Sequence, residues 1–429
     1  MQHVFIVGAK GFTYGGYETF LDKLTEYHQN NENIKYHIAC KANGPGMTDE
    51  TKLVGAKRIS DSEYVYNPLG IARSLGESGI KPIGIIIKNN RKITSKSKYF
   101  NKIYFVNNIE EGYEVLKAEF SGKDNFIFTS DDQIENYLDE HYDELKDDFY
   151  FFNCGQKGGV ATYQNKYNIL KMAEKHGISY LKTWTVNKGE IPHDIQYPII
   201  TKAIISTLDN WKDDMIICHN ENELIEAYKV IRSEKILLQK YIKKKNELCM
   251  EGCSVNRGKD VLISIASTYN YQLEDSYSPY MTVSNLENDD LKTKLKNMIE
   301  DIGFEGIFEI EFLIDQDNSL YFLEINFRNS TWSYASTVAG MPLPIIWANG
   351  MKDECIVSNC EVEIKEPFNA MVEFDDYRRR VKTGKISKKE WIRELKNAKC
   401  RYYLGKNDIK PFLSVCIHKV KKTLHMVEE

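Results

Sequence analysis

Two acidic residues, an asparagine and an arginine recur at alternate positions of a strand–turn–strand pattern in residues 308–328. Both arms of this stretch are rich in β-branched and aromatic residues, and the intervening DQDNS is typical of a tight turn. Because side chains alternate along a strand, Glu324, Asn326 and Arg328 point to one face, and Glu311 can meet them from the neighbouring strand. Such hard oxygen ligands suit Mg²⁺ carried by the phosphates of ATP, and an arginine suits a phosphate oxygen. A half-buried hairpin with a hydrated polar face is the alternative.

The full stretch FEIEFLIDQDNSLYFLEINFR resembles the signature hairpin of the ATP-grasp superfamily. In that family an acidic residue on one strand and an E-x-N motif on the next hold magnesium. The resemblance implies that Glu311, Glu324 and Asn326 bind Mg²⁺, with Mn²⁺ as an alternative ion, and that ATP is bound. It also implies a catalytic role for Arg328, which would neutralise charge on the transferred phosphoryl group.

Two lysines upstream occur in the order that the ATP-grasp family requires. Lys166 opens a helix predicted over residues 166–176 and closed by Gly177, which resembles the family helix whose lysine reaches the nucleotide phosphates. The apolar strand of residues 197–202 ends in Lys202 and is similar to the family's YPxIxKP strand. A buried strand lysine needs an anion, and the resemblance implies ATP phosphates and a catalytic role for Lys202. An edge-strand lysine that extends to water is the alternative.

Residues 235–242, followed by Glu247, resemble the family's segment that binds adenine and ribose. The resemblance implies that main-chain groups of this segment bond the adenine edge and that Glu247 accepts the ribose hydroxyls. The candidate nucleotide contacts here are Gln239, Lys240, Tyr241, Ile242 and Glu247. The intervening Lys243, Lys244 and Lys245 are predicted to form a solvated charge cluster.

One departure concerns the loop that folds over the phosphates in many relatives. That loop is rich in glycine, whereas residues 203–210 contain none. Ser206, Thr207 and backbone amides can still hold phosphate, but a loop with side chains approaches less closely. This loop is therefore the least defined part of the predicted nucleotide site.

The composition is that of a globular enzyme with several domains. The 429 residues are 42% hydrophobic and 28% charged, which predicts two to four domains. The net charge of −5, without a basic stripe, argues against nucleic acid as a partner. No run approaches the roughly 18 apolar residues of a membrane span, and no signal peptide is evident, so we expect a cytoplasmic protein. The nine scattered cysteines indicate reduced thiols and not a zinc site.

Alternating strand and helix signals predict an α/β fold. Residues 63–160 resemble the pre-ATP-grasp domain, a parallel-sheet α/β domain, including its LGxxRSLGxxGI start. A two-lobed α+β ATP-grasp domain that binds nucleotide and Mg²⁺ is expected to follow over residues 161–350. Residues 351–429 are then a C-terminal extension, whose charges are mostly a solvated surface.

Residues 1–62 resemble the start of a nucleotide-sugar glycosyltransferase of the rhamnosyltransferase type. They hold a predicted strand, the glycine loop KGFTYGGYETF, a helix and a second strand at residues 34–40. A strand–glycine–helix unit is also common in α/β folds, and no second glycosyltransferase lobe follows. We therefore assign this piece no catalysis, although it hints at a polysaccharide or cell-envelope precursor as a partner.

The resemblance as a whole implies a carbon–nitrogen ligase of the D-aspartate ligase or carbamoyl-phosphate synthase type. In such a ligase, the carboxylate of the acid substrate attacks the γ-phosphate of ATP and forms an acyl phosphate. An amine then displaces phosphate to give an amide, so that ADP and phosphate are released. The segment NFRNSTWSYA…AGxPLP is similar to that of D-aspartate ligases, which implies that Asn329, Ser330 and Trp332 lie near an acceptor. Packing in the core is the alternative for the aromatic Trp332. The expected substrates are small molecules, an amino acid or a sugar-linked acceptor among them.

Three alternatives of other classes stay open. A glycosyltransferase would depend on Gly15 and Gly16 of the N-terminal loop. A grasp-type kinase would stop at a phosphorylated product. A non-catalytic scaffold is disfavoured because the acidic set is intact. The sequence identifies neither the acid, nor the amine, nor the oligomeric state.

Overall fold

The computed structural model describes residues 2–7, 34–41, 57–59, 67–87, 93–122, 125–204, 214–273 and 277–423 of the chain. The chain divides into two compact units. One comprises Met1–Glu63 and Lys182–Tyr241, and the other comprises Tyr64–Leu181 and Ile242–Glu429. We refer to them as the first and the second unit.

The strands of the described residues are, in chain order, β1 (Gln2–Val7), β2 (Ile34–Lys41), β3 (Lys57–Ile59), β4 (Ile83–Ile87), β5 (Lys102–Val106), β6 (Asn125–Phe126), β7 (Phe149–Tyr150), β8 (Thr183–Asn187), β9 (Ile199–Ala203), β10 (Ile217–Cys218), β11 (Lys235–Lys240), β12 (Asn246–Val255), β13 (Asp260–Tyr269), β14 (Tyr280–Ser284), β15 (Gly306–Ile314), β16 (Leu320–Asn326), β17 (Phe368–Met371) and β18 (Cys400–Arg401).

The α-helices within the same ranges are, in chain order, α1 (Asn67–Glu77), α2 (Ile109–Phe120), α3 (Asp132–Glu140), α4 (Tyr142–Leu145), α5 (Gly159–Gln164), α6 (Lys166–Lys175), α7 (Glu221–Val230), α8 (Asp289–Ile302), α9 (Tyr334–Val338), α10 (Leu343–Asp353), α11 (Glu373–Asp376), α12 (Lys388–Asn397) and α13 (Lys410–Thr423). Short 3₁₀ turns lie at Thr94–Lys96 and Ser358–Cys360, and a π-helical turn lies at Tyr377–Val381.

A three-stranded parallel sheet in the order β1-β2-β3 lies in the N-terminal part of the first unit. It confirms the two strands predicted in residues 1–62. The glycine loop and the helix predicted between them lie outside the described residues.

A four-stranded antiparallel sheet in the order β10-β9-β11-β8 forms the rest of the first unit. Its buried side chains, among them Ile199, Ile236 and Leu238, form one cluster with Leu224 of α7. The Asn220 side chain accepts a hydrogen bond from the Glu223 amide and caps that helix. This sheet carries Lys202 on β9 and Gln239 on β11.

A seven-stranded sheet in the order β16-β15-β12-β13-β14-β17-β18 dominates the second unit, and all its pairs are antiparallel except β17 with β18. On β15, Phe308, Ile310 and Phe312 are buried in the core that also receives the apolar side chains of α8. Because the strand has a period of two, Glu309 and Glu311 fall on the opposite face. Strands β17 and β18 follow residue 350, so the predicted C-terminal extension contributes to the same sheet as the hairpin.

The remaining part of the second unit alternates strands and helices, as the sequence predicted. Strands β4 and β5 pair in parallel, and so do β6 and β7. Helix α2 lies between β5 and β6, and α6 confirms the helix predicted from Lys166. Within the described ranges, no helix has the length and apolar character needed to cross a membrane.

Candidate active site

The acidic residues of the predicted hairpin face one another across neighbouring strands. The register pairs Glu311 with Glu324 and Glu309 with Asn326 across β15 and β16. On the other side of β15, Glu251 of β12 lies opposite Glu309. The hairpin and the convergence of Glu311, Glu324 and Asn326 are therefore confirmed, and we call the set Glu251, Glu309, Glu311, Glu324 and Asn326 the acidic row.

Asn326 contacts the carboxylates of the acidic row through its amide nitrogen. Its Nδ2 donates to Glu309 Oε2 at 3.1 Å and to Glu311 Oε1 at 2.9 Å. Its Oδ1 accepts from Arg328 Nη2 at 3.3 Å. A metal ligand must present the oxygen, so the role predicted for Asn326 requires a half-turn of the amide group.

Buried carboxylates of the acidic row repel one another. Burial raises the pKa of Glu311 well above its ordinary value, and the charges of Glu309 and Glu324 raise it further. Burial likewise raises the pKa of Glu309, followed by the charge of Glu251. Arg328 opposes both shifts. A divalent cation would relieve this repulsion, so the chemistry of Glu311, Glu324 and an amide oxygen fits Mg²⁺. No group of three or more His, Cys, Asp or Glu side chains in the described ranges is arranged to hold a metal unaided.

Lys166 reaches the acidic row from helix α6. The Asn165 side chain caps this helix by accepting from the Tyr167 and Asn168 amides, which fixes Lys166 in its first turn. Lys166 Nζ donates to Glu324 Oε2 at 2.5 Å, and the lysine is largely buried. The predicted phosphate lysine is thus brought to a predicted metal ligand.

Arg328 is held by a residue that the sequence analysis did not single out. Its Nε and Nη2 donate to the two carboxylate oxygens of Asp132 at 2.8 and 3.1 Å. Burial alone would lower the pKa of Arg328, but the charge of Asp132 and its hydrogen bonds raise it above the ordinary value, with Glu309 and Glu311 adding to the effect. Asp132 lies 196 residues away in the chain, and no local sequence pattern predicts this contact.

Glu251 is a second residue that sequence reasoning missed. Its two carboxylate oxygens accept from the Ser330 and Ser333 hydroxyls at 2.5 and 2.6 Å. Burial raises the pKa of Glu251 to about 7, against the lowering effect of these two hydroxyls. The alternation of Glu247, Cys249 and Glu251 in the sequence, on what the structure shows to be strand β12, is the signal that could have indicated it.

The three residues predicted near an acceptor are instead part of the supporting structure. Asn329, Ser330 and Trp332 are buried. Asn329 Nδ2 donates to Asn67 Oδ1 at 2.6 Å, and Ser330 is bound to Glu251. These contacts fix the turn that follows β16 and leave the side chains little surface for a ligand.

In the first unit, Lys202 and Gln239 lie on adjacent strands and bond each other. Lys202 Nζ donates to Gln239 Oε1 at 2.8 Å, and Gln239 Nε2 donates to Thr183 Oγ1 at 2.9 Å. The strand predicted to end at Lys202 is observed as Ile199–Ala203. Ser206, the other predicted phosphate contact of this unit, and Thr207 lie outside the described residues.

The predicted adenine segment uses two of its amides within the first unit. The Lys240 amide donates to the Lys182 carbonyl at 2.8 Å, and the Tyr241 amide donates to the Pro198 carbonyl at 2.9 Å. These two N–H groups are therefore already engaged within the first unit.

The remaining nucleotide candidates, Ile242 and Glu247, lie in the second unit. Glu247 is buried and accepts from Lys244 Nζ, although Lys244 was predicted to be only solvated. The roles of Ile242 and Glu247 toward a nucleotide stay predictions.

Residues 169–349 match the family model of the carbamoyl-phosphate synthase L chain, ATP binding domain, and residues 1–64 match that of a domain of unknown function, DUF1972. N5-carboxyaminoimidazole ribonucleotide synthase of Staphylococcus aureus (strain COL) is 27% identical over 132 residues, which are 30% of this chain and 34% of that protein. The chain thus spans about a third of the length of this curated relative.

Solved structures share the fold. N5-carboxyaminoimidazole synthetase from Staphylococcus aureus superposes with a TM-score of 0.58 at 16% identity, over 73% of this chain and 82% of that one. It has also been solved with ADP. L-amino acid ligase from Bacillus licheniformis gives a TM-score of 0.53 at 12% identity, over 72% and 77% of the two chains.

Residues 169–349 therefore form an ATP binding domain of the carbamoyl-phosphate synthase L chain type, and the chain shares the mixed α/β ATP-grasp fold of the solved structures. The predicted fold class is confirmed. The chain also carries an N-terminal DUF1972 segment, to which the model match assigns no activity.

Proposed function

We propose that this protein is an ATP-dependent carboxylate–amine ligase that forms an amide bond through an acyl phosphate. The observation that supports it best is the acidic row, because Glu311, Glu324 and Asn326 are cross-strand neighbours with Lys166 and Arg328 beside them. This set can hold Mg²⁺ and neutralise phosphate charge, and the proposed reaction requires no covalent intermediate on a protein side chain. Chemistry that depends on positioning and electrostatics therefore fits it best.

The reaction balances with two substrates besides ATP. A carboxylate oxygen of the acid attacks the γ-phosphorus and the bond to ADP breaks. The amine nitrogen then attacks the carbonyl carbon of the acyl phosphate, phosphate leaves, and the nitrogen loses a proton. Mg²⁺, when bound, would supply positive charge at the β- and γ-phosphates.

The residues of this chain have separable roles in the proposal. Glu311, Glu324 and the Asn326 oxygen hold Mg²⁺, with Mn²⁺ as an alternative ion. Arg328 and Lys166 place positive charge on the transferred phosphoryl group. In the first unit, Lys202 contacts phosphate, and Gln239 orients Lys202 through their 2.8 Å hydrogen bond.

The substrate class rests on weaker support. The fold is shared with an enzyme named L-amino acid ligase, and small-molecule acids and amines suit that chemistry. We therefore include amino acids as acids and acceptors. Because of the N-terminal segment, we also include amino sugars and uronic-acid sugars that resemble cell-envelope precursors.

The test is ADP formation from MgATP against a panel of acids, each with and without each amine. We expect turnover that requires both partners and is lost in Glu324→Ala. Asp290→Ala is the matched control, because it removes an exposed carboxylate of α8 that pairs with Lys294. ADP formation with an acid alone that yields a stable phosphorylated product would replace the ligase with a kinase. Binding of a nucleotide sugar without ADP formation on any pair would reject the proposal.

A further inference from the structure

The orientation of Arg328 is determined by two contacts at one edge of its guanidinium group. Nε and Nη2 of Arg328 donate to the two carboxylate oxygens of Asp132 in a bidentate pair. Asn326 Oδ1 lies 3.3 Å from the same Nη2. Within the ranges that the structure describes, Nη1 donates to no protein group. The Nε–Nη2 edge is therefore occupied by acceptors of the protein, and Nη1 is the donor left for a ligand.

The segment that carries Asp132 is itself fixed to the turn after Arg328. The Asn329 amide donates to the Thr129 carbonyl at 3.1 Å. Asn67 Nδ2 bridges the Ser130 carbonyl at 3.2 Å and the Asn329 carbonyl at 2.7 Å. Asp132 thus approaches Arg328 from a buried and hydrogen-bonded scaffold, which restricts both partners to one geometry.

The charges around Arg328 explain why such a restraint is needed. Glu309 and Glu311 both act on this guanidinium, and Asn326 Oδ1 lies within reach of it. Without a competing carboxylate, the arginine would turn toward the acidic row and neutralise the side chains that are proposed to bind Mg²⁺. Asp132 opens helix α3, where a negative charge is stabilised by the helix N-terminus. It therefore offers Arg328 a stable partner outside the acidic row.

We propose that Asp132 is the positioning residue of Arg328: its carboxylate holds the Nε–Nη2 edge away from Glu309 and Glu311 and presents Nη1 to the phosphoryl group. The catalytic part of this inference rests on the proposed ligase function. The geometric part concerns only this chain and can be measured without any substrate.

The experiment compares Asp132→Asn, Arg328→Lys and the double variant in the full chain. Asp131→Asn is the matched control, because it changes the neighbouring acid in the same way and asparagine still caps the helix. The first readout is the ¹⁵Nε resonance of Arg328, assigned by its absence in Arg328→Lys. We expect Asp132→Asn to shift it and to speed exchange of its Nε proton, with no change in Asp131→Asn.

The second readout is kinetic. We expect Asp132→Asn to lower kcat by about 10- to 100-fold, the loss typical of a displaced catalytic group, with little change in KM for ATP. The double variant should lose little more activity than Arg328→Lys alone, because both changes remove the same interaction between Asp132 and Arg328. An unchanged Arg328 resonance, or losses that multiply in the double variant, would overturn the positioning role. A shifted resonance in a protein that turns over no acid–amine pair would support the positioning and reject the ligase.

Discussion

Lys166 Nζ and Glu324 Oε2 form an ion pair at 2.5 Å. The two residues are 158 positions apart, and one is the proposed phosphate ligand while the other is a proposed metal ligand. A cation bound by Glu324 would compete with the Lys166 ammonium for the same carboxylate. The pair therefore suggests that metal binding releases Lys166 toward phosphate.

This relationship predicts a nucleotide-affinity defect in Lys166→Met. A charge-assisted hydrogen bond contributes about 1.5–3 kcal/mol, which corresponds to about 10- to 100-fold in the dissociation constant of a non-hydrolysable MgATP analogue. Calorimetric titration measures it. Lys171→Met is the matched control, because Lys171 lies on the same helix in an exposed pair with Glu174. Equal affinities for the two variants would show that Lys166 only neutralises Glu324.

The acidic row predicts a metal-dependent defect in Glu311→Gln and Glu324→Gln. Each change removes one negative charge and keeps the shape of the side chain. We expect the Mg²⁺-dependent part of ADP binding to weaken by about 10- to 100-fold, and binding without Mg²⁺ to change little. Calorimetry at several Mg²⁺ concentrations separates the two parts. Asp290→Asn, which changes an exposed acid, should leave both unchanged; a loss that is independent of Mg²⁺ would contradict the metal role.

The sequence predicted the hairpin because that prediction needs only local information. A period of two places Glu324 and Asn326 on one face of β16, and the polar turn sets the pairing of Phe312 with Phe322. The pairing of Glu311 with Glu324 also needs a β-bulge, which shifts the register by one residue between Phe312 and Glu311. The strands, the turn, α6 and the strand that holds Lys202 were therefore predictable from the sequence, whereas the bulge was not.

The contacts of Asp132 and Glu251 could not be predicted from local sequence patterns. Their partners, Arg328 and the pair Ser330 and Ser333, lie on segments that meet only after the sheet and helix α3 have packed. A single sequence carries no signal for such pairs. The predicted acceptor role of Asn329 was drawn from resemblance, and burial in the folded chain leaves it a supporting role.

The contacts of Arg73, the buried arginine of the LGxxRSLGxxGI motif, predict a contribution to the free energy of unfolding. Arg73 is fully buried, pairs with Asp408 at 3.2 Å and donates to the carbonyls of Tyr402, Tyr403 and Asp408. Arg73→Met leaves the buried Asp408 carboxylate without its cationic partner, although the Ser97 hydroxyl and the Lys98 amide still donate to it. We expect a loss of about 3–5 kcal/mol in the free energy of unfolding, measured by urea denaturation.

The control for this prediction is Arg393→Met. Arg393 is an exposed arginine of α12 whose nearest carboxylate, on Glu390, lies 4.0 Å away. Its replacement should change stability by no more than about 0.5 kcal/mol. Similar stability of the two variants would mean that the contacts of Arg73 are not needed to hold the second unit together.

The pKa of Glu251 makes a prediction about pH. It is raised from 4.5 to about 7 by burial, so the folded state binds a proton more tightly than the unfolded chain. The resulting stability is complete below pH about 4.5 and is lost as the pH rises through about 7. The shift corresponds to a loss of the order of 3 kcal/mol across that window. Glu251→Gln cannot ionise, so urea unfolding between pH 5 and 8 should show a flatter profile than in the wild type. Parallel profiles would mean that Glu251 stays charged in the folded protein, with the two serine hydroxyls sufficient to stabilise it.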